Sequence, residues 1–572
     1  MKIALAQQNY HIGNFEENTR KAIEAIKKAK NDGADIIVFT ELSICGYPPR
    51  DFLEFEDFIN KCDQAINEIK QHADTIAVIV GAPQRNTISE GKSLFNAAWF
   101  LYEKEVLATT QKTLLPTYDV FDENRYFEPA YQWNVIPFKG KKIALTICED
   151  IWNLGDNPLY RICPMDILME QSPDLMLNIS ASPFDYDHDD DRKEVIRANV
   201  LKYKLPIFYC NAVGSQTEIV FDGGSLVMNA QGRIVKELAY FKEDYFVYDS
   251  EDFARDSGST SGPLNPDRQF DKEMRVFKMN DPARIMEYMI AEKNIGEIHQ
   301  ALILGIRDYF SKLGFTKAIL GSSGGIDSAV TLALAVEAIG HENVRAVLLP
   351  SQYSTSHSVT DAELLSQRLN NPYEIIEIKN VYESLMTALK PAFKDLPFSV
   401  AEENLQSRTR GNILMAIANK FGYILLNTSN KSELATGYGT LYGDMAGGLS
   451  VLGDVYKTQV YALARYINKN KEIIPANIIE KAPSAELRPN QRDSDSLPDY
   501  SILDKILYQY IEKRQGPKDI IGMDIDEAVV NKTLKLVNTN EYKRNQFCPI
   551  IRVSCKAFGV GRRMPIVGKY LS

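Results

Sequence analysis

From Lys2 to about Tyr248, short apolar and β-branched runs alternate with stretches of helical periodicity. The runs are KIALAQ, DIIVFTE, TIAVIVGA, KIALTICED, DLMLNIS and PIFYCNAV. Alternation of this kind predicts a layered α/β fold with buried sheets. Between the first two runs, FEENTRKAIEAIKKAKNDGA places Ala22, Ile23, Ala25, Ile26 and Ala29 on one stripe of a helix, and Gly33 supplies its stop.

The texture then changes. DSEDFARDSGSTSGPLNPDRQFDKEMRVFKMNDP is rich in Ser, Gly, Pro and charge, as a linker is. A second series follows, with one long helical pattern to Leu313, the strand KAILGSS, the helix DSAVTLALAVEAIG, the strand VRAVLLP, the helix SVTDAELLSQRLN and the strand YEIIEI. Strands separated by whole helices imply parallel pairing and right-handed crossovers. The expected division is a first domain at 1–255, a linker at 256–284 and a second domain at 285–572. PSAELRPNQRDSDSLPDY, from Pro483 to Tyr500, is expected to be a mobile loop between helices.

Composition narrows the function classes. A chain of 572 residues exceeds what one core usually supports, which agrees with two domains. A formal net charge of -11 argues against a nucleic-acid or anionic-membrane binder, because phosphates need a basic footprint. Seven cysteines without a CxxC pair suit reduced thiols in a cytoplasmic protein. MKIALAQQNY reads as a first strand and not as a secretory signal, and no apolar run reaches the roughly 18 residues a membrane helix needs.

In the first half three strand ends carry chemistry. Cys148 leaves KIALTI for a loop, Glu41 ends DIIVFTE, and Lys112 precedes TLLP. A carboxylate there suits a general base, and an ammonium would lower the thiol pKa and stabilise an anionic tetrahedral intermediate. Singly, a strand cysteine is more often structural and a strand-end Glu more often a cap. The surrounding text changes that balance: FTELSICGYPPRD, KTLLPTYDVFDENRYF and ICEDIW, in that order, resemble the signature blocks of the nitrilase superfamily. The resemblance implies an α-β-β-α sandwich over roughly residues 1 to 250, with Glu41 as base, Lys112 as transition-state cation, Cys148 as nucleophile and Glu123 as a supporting carboxylate. In the glutaminase branch it further implies Tyr118 and Ser182 as glutamine-binding residues. Where a basic residue usually follows that serine by six positions, this chain has His188, so the glutamine carboxylate contact is left open among His188, Arg192 and Lys193.

In the second half KAIL runs into Gly321, Ser322, Ser323, Gly324, Gly325, Ile326, Asp327 and Ser328, and straight into a helix. Glycines allow close backbone approach and the helix start offers free N–H donors, which makes an anion cradle. It lacks the lysine of a Walker loop, so γ-phosphoryl transfer is not indicated. SGGIDS resembles the pyrophosphate loop of the N-type ATP pyrophosphatases, which implies an adenine nucleotide alpha hydrolase-like parallel α/β domain that cleaves ATP between its α and β phosphates. PSQYSTSHS, ENLQSRTRGNILM, LNTSNKSELATGYGTLYGDMAGGLSVLGDVYKTQV and EYKRNQFCPIIRVSCKAFGVGRRMPI resemble the NAD synthetase family. That implies ATP contacts at Thr428 and Lys457, with Ser484 a further candidate. It also implies deamido-NAD contacts at Asn404, Glu433 and Lys543, with Arg408 added, and Mg²⁺ ligands at Asp327 and Glu433. Ser429 stands where Gly is usual, with consequence only if that backbone needs positive φ.

Together the resemblances imply an enzyme that frees ammonia from glutamine and uses it to amidate an adenylated nicotinate carboxylate. A shielded ammonia route and a homo-oligomer are implied as well. Two rivals stand beside this reading, a pyrophosphatase-type amidotransferase with another acceptor and an inactive protein used for assembly or ligand sensing.

Overall fold

The computed structural model describes the chain except residues 89, 156, 158, 187, 254–283, 485, 490, 492 and 572, and except the side chains of 188–190. The chain forms two compact units, Met1–Lys278 and Met279–Ser572. Apart from Arg284, the expected linker 256–284 lies outside the described residues.

In the first unit one six-stranded sheet runs in the order Asp244–Asp249, Lys2–Gln7, Ile36–Val38, Ala77–Arg85, Leu94–Tyr102, Glu105–Gln111. A second runs Ile234–Glu237, Leu226–Met228, Ile207–Asn211, Leu175–Ser180, Lys141–Ile147, Ile136–Phe138. The pleat sends alternate residues to opposite faces, so Ile143, Leu145 and Ile147 meet Ile3, Leu5, Ile36 and Val38 in a core between the sheets. Ala144 and Met176 point the other way, onto Val195, Ile196 and Val200 of the helix His188–Tyr203. On the opposite outer face Ala22, Ile26 and Ala29 of the helix Phe15–Asn31 pack on Ala4, Ile37 and Val78. Gly33, at φ 71, follows that helix as expected. Helix, sheet, sheet and helix are therefore stacked in that order.

The second unit carries a five-stranded, wholly parallel sheet, in the order Tyr373–Ile375, Val344–Leu348, Ala318–Gly321, Ile424–Asn427, Leu449–Ser450. The chain moves outward from Ala318–Gly321 to one side and then returns to build the other. Ligands of open parallel sheets bind where the order reverses, beyond the carboxyl ends of the strands. Here that place lies just after Gly321 and Asn427. The single long helix expected before Leu313 is in fact two, Ile285–Met289 and Glu292–Leu313. The Asn294 side chain donates to the Tyr288 carbonyl at 2.8 Å, which occupies a helix end that periodicity alone does not mark.

Candidate active sites

In the first unit the strand Lys141–Ile147 ends at Cys148, whose φ of 43 places a non-glycine residue in the left-handed region as the chain enters a tight turn. Such a conformation is costly unless its surroundings enforce it. Asp150 does so: its carboxylate accepts the backbone N–H of Ile147 at 3.1 Å and those of Thr113 and Leu114 at 2.9 Å each. One side chain thus fastens the Cys148 turn to the segment that follows Lys112.

Glu41 and Lys112 are buried and paired. Lys112 Nζ donates to Glu41 Oε1 and to Glu123 Oε1, each at 2.7 Å. Asn96 Nδ2 donates to both carboxylates, at 2.7 and 3.2 Å, the Tyr47 hydroxyl donates to Glu123 at 2.7 Å, and the Ala181 N–H donates to Glu41 Oε2 at 3.0 Å. Burial pulls the Lys112 ammonium down, but Glu123, Glu41 and Cys148 outweigh it and hold the group well above its ordinary value. Burial pushes Glu123 up to about 7, against the pull of Lys112.

The thiol behaves differently from the sequence expectation. Burial and the negative charge of Glu41 push Cys148 well above the usual thiol range, and the downward pull of Lys112 and of a Ser180 hydrogen bond does not reverse this. The pull of Lys112 is outweighed by burial and by Glu41, one of the two carboxylates that share its charge. A neutral thiol must lose its proton during attack, which puts weight on a base beside it.

Around this group, the Tyr118 hydroxyl donates to both carboxylate oxygens of Glu149 at 3.0 Å, and the Tyr160 hydroxyl donates to Oε1 at 2.7 Å. Ser182 is buried, with its N–H on Asn211 Oδ1 at 2.9 Å. The side chain of His188 lies outside the described residues. Arg192 forms a buried two-pronged pair with Asp222 at 2.9 and 2.7 Å, and Lys193 pairs with Glu237 at 2.8 Å, so both alternatives to His188 already hold carboxylates.

In the second unit a cavity of 460 Å³ opens at the switch point of the sheet. Every residue from Gly321 to Ser328 except Gly324 lines it, together with Asn404, Thr428, Glu433, Lys457, Ser484 and Lys543. Gly324 turns the loop at φ 75, where an added Cβ would lie 2.1 Å from the Ser358 carbonyl oxygen. Ser328 Oγ accepts the Ser323 N–H at 3.3 Å and donates to the Gly325 carbonyl at 3.0 Å, closing the loop on the helix start. Lys457 Nζ lies 2.5 Å from Asp327 and 3.9 Å from Glu433, and Asn430 both donates to Asp327 at 2.9 Å and caps the helix that carries Glu433. Burial and the charge of Asp327 push Glu433 well above the ordinary carboxylate value. Asn404 accepts from Thr440 at 2.7 Å, and Lys543 donates to the carbonyls of Gly437 and Gly439 at 2.7 and 2.8 Å.

A carbon-nitrogen hydrolase family model matches residues 2–251, and an NAD synthase model matches residues 298–547. The glutamine-dependent NAD(+) synthetase of Synechocystis sp. is 43% identical over 99% of this chain and 98% of its own. That of Thermotoga maritima is 39% identical over 100% and 99%. The chain belongs to the glutamine-dependent NAD(+) synthetases. Among solved structures, the glutamine-dependent NAD+ synthetase of Acinetobacter baumannii in complex with ADP superposes with a TM-score of 0.74 at 38% identity, covering 99% of this chain and 98% of that one.

The fold and family expected from the sequence are those found, and two local readings change. Arg408 is turned to the Leu441 carbonyl, 3.1 Å from its Nε, and is not among the residues lining the cavity. The second is the Cys148 thiol described above. The segment Pro483–Tyr500, expected as a mobile loop between helices, lies between the helices Ala476–Glu480 and Tyr500–Ile511 and contributes Pro483, Ser484, Glu486, Leu487, Gln491 and Asp493 to the cavity wall, with Ser484 Oγ donating to the Gln491 carbonyl at 2.6 Å. Ser429 is not among the positive-φ residues, so its replacement of Gly carries no backbone cost there. Sequence reasoning missed Tyr47, Asn96, Glu149, Asp150 and Asn430, each of which acts through a partner far away along the chain.

Proposed function

We propose that residues 1–255 are the glutaminase domain and residues 285–572 the ATP-dependent domain of a ligase that converts deamido-NAD, ATP and glutamine to NAD, AMP, pyrophosphate and glutamate. One observation carries the division of labour: a buried Glu41–Lys112–Cys148 group stands in one unit, and a glycine loop with no Walker lysine stands at the sheet switch point of the other. In the first, Glu41 takes the Cys148 proton as sulfur attacks the glutamine amide carbon. Glu41 then hands that proton to the amide nitrogen, so that the C–N bond breaks, ammonia leaves and a thioester remains for water. Lys112 is positioned for the tetrahedral oxyanion, and Glu123, Asn96 and Tyr47 hold the Glu41–Lys112 pair in place. Tyr118, Glu149, Ser182 and His188 are assigned to glutamine, with Glu149 suited to its α-ammonium.

In the second, Ser323–Ser328 cradles the phosphates, Thr428, Lys457 and Ser484 hold the rest of ATP, and Asn404, Glu433 and Lys543 face deamido-NAD. The nicotinate carboxylate attacks the α-phosphorus, and ammonia then displaces AMP. Among the described residues there is no group of three or more His, Cys, Asp or Glu side chains able to hold a metal ion by itself. Asp327 and Glu433 nevertheless suit Mg²⁺ shared with phosphate oxygens, because both carboxylates line the cavity at the loop and one ammonium, Lys457 Nζ, stands 2.5 and 3.9 Å from them. When bound, the ion neutralises phosphate charge. No helix among the described residues is long and apolar enough to cross a membrane, and the seven cysteines are free thiols, which supports a cytoplasmic location. A homo-oligomer is part of the same reading, to be measured by analytical ultracentrifugation.

The test is one incubation with Mg-ATP, deamido-NAD and amide-¹⁵N glutamine. Labelled NAD, AMP, pyrophosphate and glutamate should form in equal amounts. ADP and orthophosphate in place of AMP and pyrophosphate would overturn the adenylation step.

A further inference from the structure

Adenylation, on the reading just given, ends with a pyrophosphate that carries new negative charge, and the Ser323–Ser328 loop brings no cation to it. Among the described residues four cationic side chains line the cavity: Arg410, Lys457, Lys481 and Lys543. Two are already engaged, Lys457 with Asp327 at 2.5 Å and Lys543 with two backbone carbonyls. The other two form no ion pair among the described residues. Arg410 donates through Nε to the Leu349 carbonyl at 2.9 Å, and Lys481 Nζ donates to Ser358 Oγ at 3.1 Å.

Ser358 ties Lys481 to the phosphate loop. Its carbonyl lies so close to Gly324 that a Cβ there would come within 2.1 Å, so the Lys481 ammonium is one residue away from the loop backbone. An anion of the chain's own already sits beside these groups. Glu486 accepts from Ser358 Oγ at 2.7 Å and from Thr355 Oγ1 at 3.1 Å, at the start of the helix Ser356–Leu369. Its charge is the one that Arg410 and Lys481 both feel, with Asp444 acting on the first and Asp361 on the second. Burial draws Arg410 down to about 10, which leaves it charged at neutral pH, and draws Lys481 below its ordinary value. Glu486 holds this position with φ 49, in the left-handed region.

We propose that Lys481 and Arg410 bind the pyrophosphate end of ATP and the pyrophosphate that leaves, and that Glu486 is the internal anion which those phosphates displace. In the step concerned, a carboxylate oxygen of deamido-NAD bonds to the α-phosphorus and the bond from that phosphorus to the α,β-bridging oxygen breaks. The electron pair departs on pyrophosphate, and the two cations meet the charge that develops there.

Product inhibition of the full-length chain, with ammonium as nitrogen source and Mg²⁺ held saturating, tests this. In Lys481→Met and in Arg410→Met the inhibition constant for magnesium pyrophosphate should rise about tenfold, the loss of one charge-assisted contact, while AMP inhibits as before. Unchanged AMP inhibition also shows that the synthetase site is folded. Lys481→Arg should keep pyrophosphate inhibition, and Glu486→Gln should strengthen it by removing the competing anion. Pyrophosphate inhibition that stays unchanged in a Met variant, or weakens in parallel with AMP, removes that residue from the assignment. Weaker inhibition in Glu486→Gln removes the counter-ion role. A wild-type chain that releases no pyrophosphate and is not inhibited by it would instead sink the adenylation reading on which the proposal rests.

Discussion

The carboxylate of Asp150 accepts the backbone N–H of Thr113 at 2.9 Å, so the nucleophile turn and the segment after Lys112 are held by one buried side chain. Asp150→Ala leaves the N–H groups of Ile147, Thr113 and Leu114 without that acceptor, and each buried unsatisfied donor costs about 1–3 kcal/mol. The first unit should lose on the order of 3 kcal/mol or more in urea unfolding. Glutamine hydrolysis should fall with it, since the left-handed Cys148 turn loses its anchor. Ammonium-dependent NAD formation should be retained. An unchanged unfolding midpoint together with full glutaminase activity would show that the anchor is idle.

Glu123 sets a pH dependence. Its folded pKa of about 7 is raised above the ordinary 4.5, chiefly by burial, so whatever its protonated form adds to stability is present at low pH and is lost as pH rises through about 7. Ionised, Glu123 gives Lys112 a full charge partner and fixes the ammonium that meets the oxyanion. Glutamine hydrolysis should therefore rise with pH through an apparent pKa near 7, that of Glu123. In Glu123→Gln that limb should vanish from the profile of kcat. A limb of the same position in the variant would assign the titration elsewhere.

Gly324 cannot carry a side chain without moving Ser358, because φ is 75 and the nearest backbone atom stands 2.1 Å from the Cβ position. Gly324→Ala should displace the phosphate loop and raise the KM for ATP by about tenfold or more, since strain in such regions is worth roughly 1–3 kcal/mol. Glutamine hydrolysis in the other unit gives the internal control. Wild-type ATP kinetics in the variant would mean that the loop does not hold the phosphates.

Much of this site is legible in the sequence because chemistry sits at strand ends, and strands buried on both faces leave long apolar runs. KIALTI announces both its strand and the place of Cys148 at its tip, although the thiol itself is buried there. The hairpin Leu94–Tyr102 and Glu105–Gln111 gives no such signal: its second strand is polar and partly exposed, and its turn residues Glu103 and Lys104 adopt φ 51 and 61, positions usually marked by Asn-Gly. The strand Asp244–Asp249 owes its place to pairing with Lys2–Gln7 at the far end of the unit. Asn96 is silent for a similar reason. It matters because the ladder sets it beside Lys112, whose N–H donates to its carbonyl at 2.8 Å, and no local pattern encodes a neighbour across strands. The raised thiol of Cys148 is hidden too, since the Lys112 charge is already shared by Glu41 and Glu123 only in three dimensions.

The division of labour is tested by Cys148→Ala. The Glu41–Lys112–Cys148 group lies in the first unit, and the glycine loop, Asn404, Thr428 and Glu433 lie in the second, so removing the sulfur leaves the ATP chemistry intact. No other group in the proposed glutaminase site can form the thioester, and glutamine hydrolysis should be abolished. NAD formation should then be followed twice, once with glutamine and once with ammonium chloride at mildly alkaline pH, where more of the nitrogen is free base. Only the second should proceed, near the wild-type rate. Glu41→Gln should act in the same direction, because the neutral thiol then has no base to take its proton, and Lys112→Ala should do so by leaving the oxyanion without its cation. A folded Cys148→Ala chain that still used glutamine would remove the nucleophile assignment. One that lost both nitrogen sources would show instead that the two sites cannot be separated.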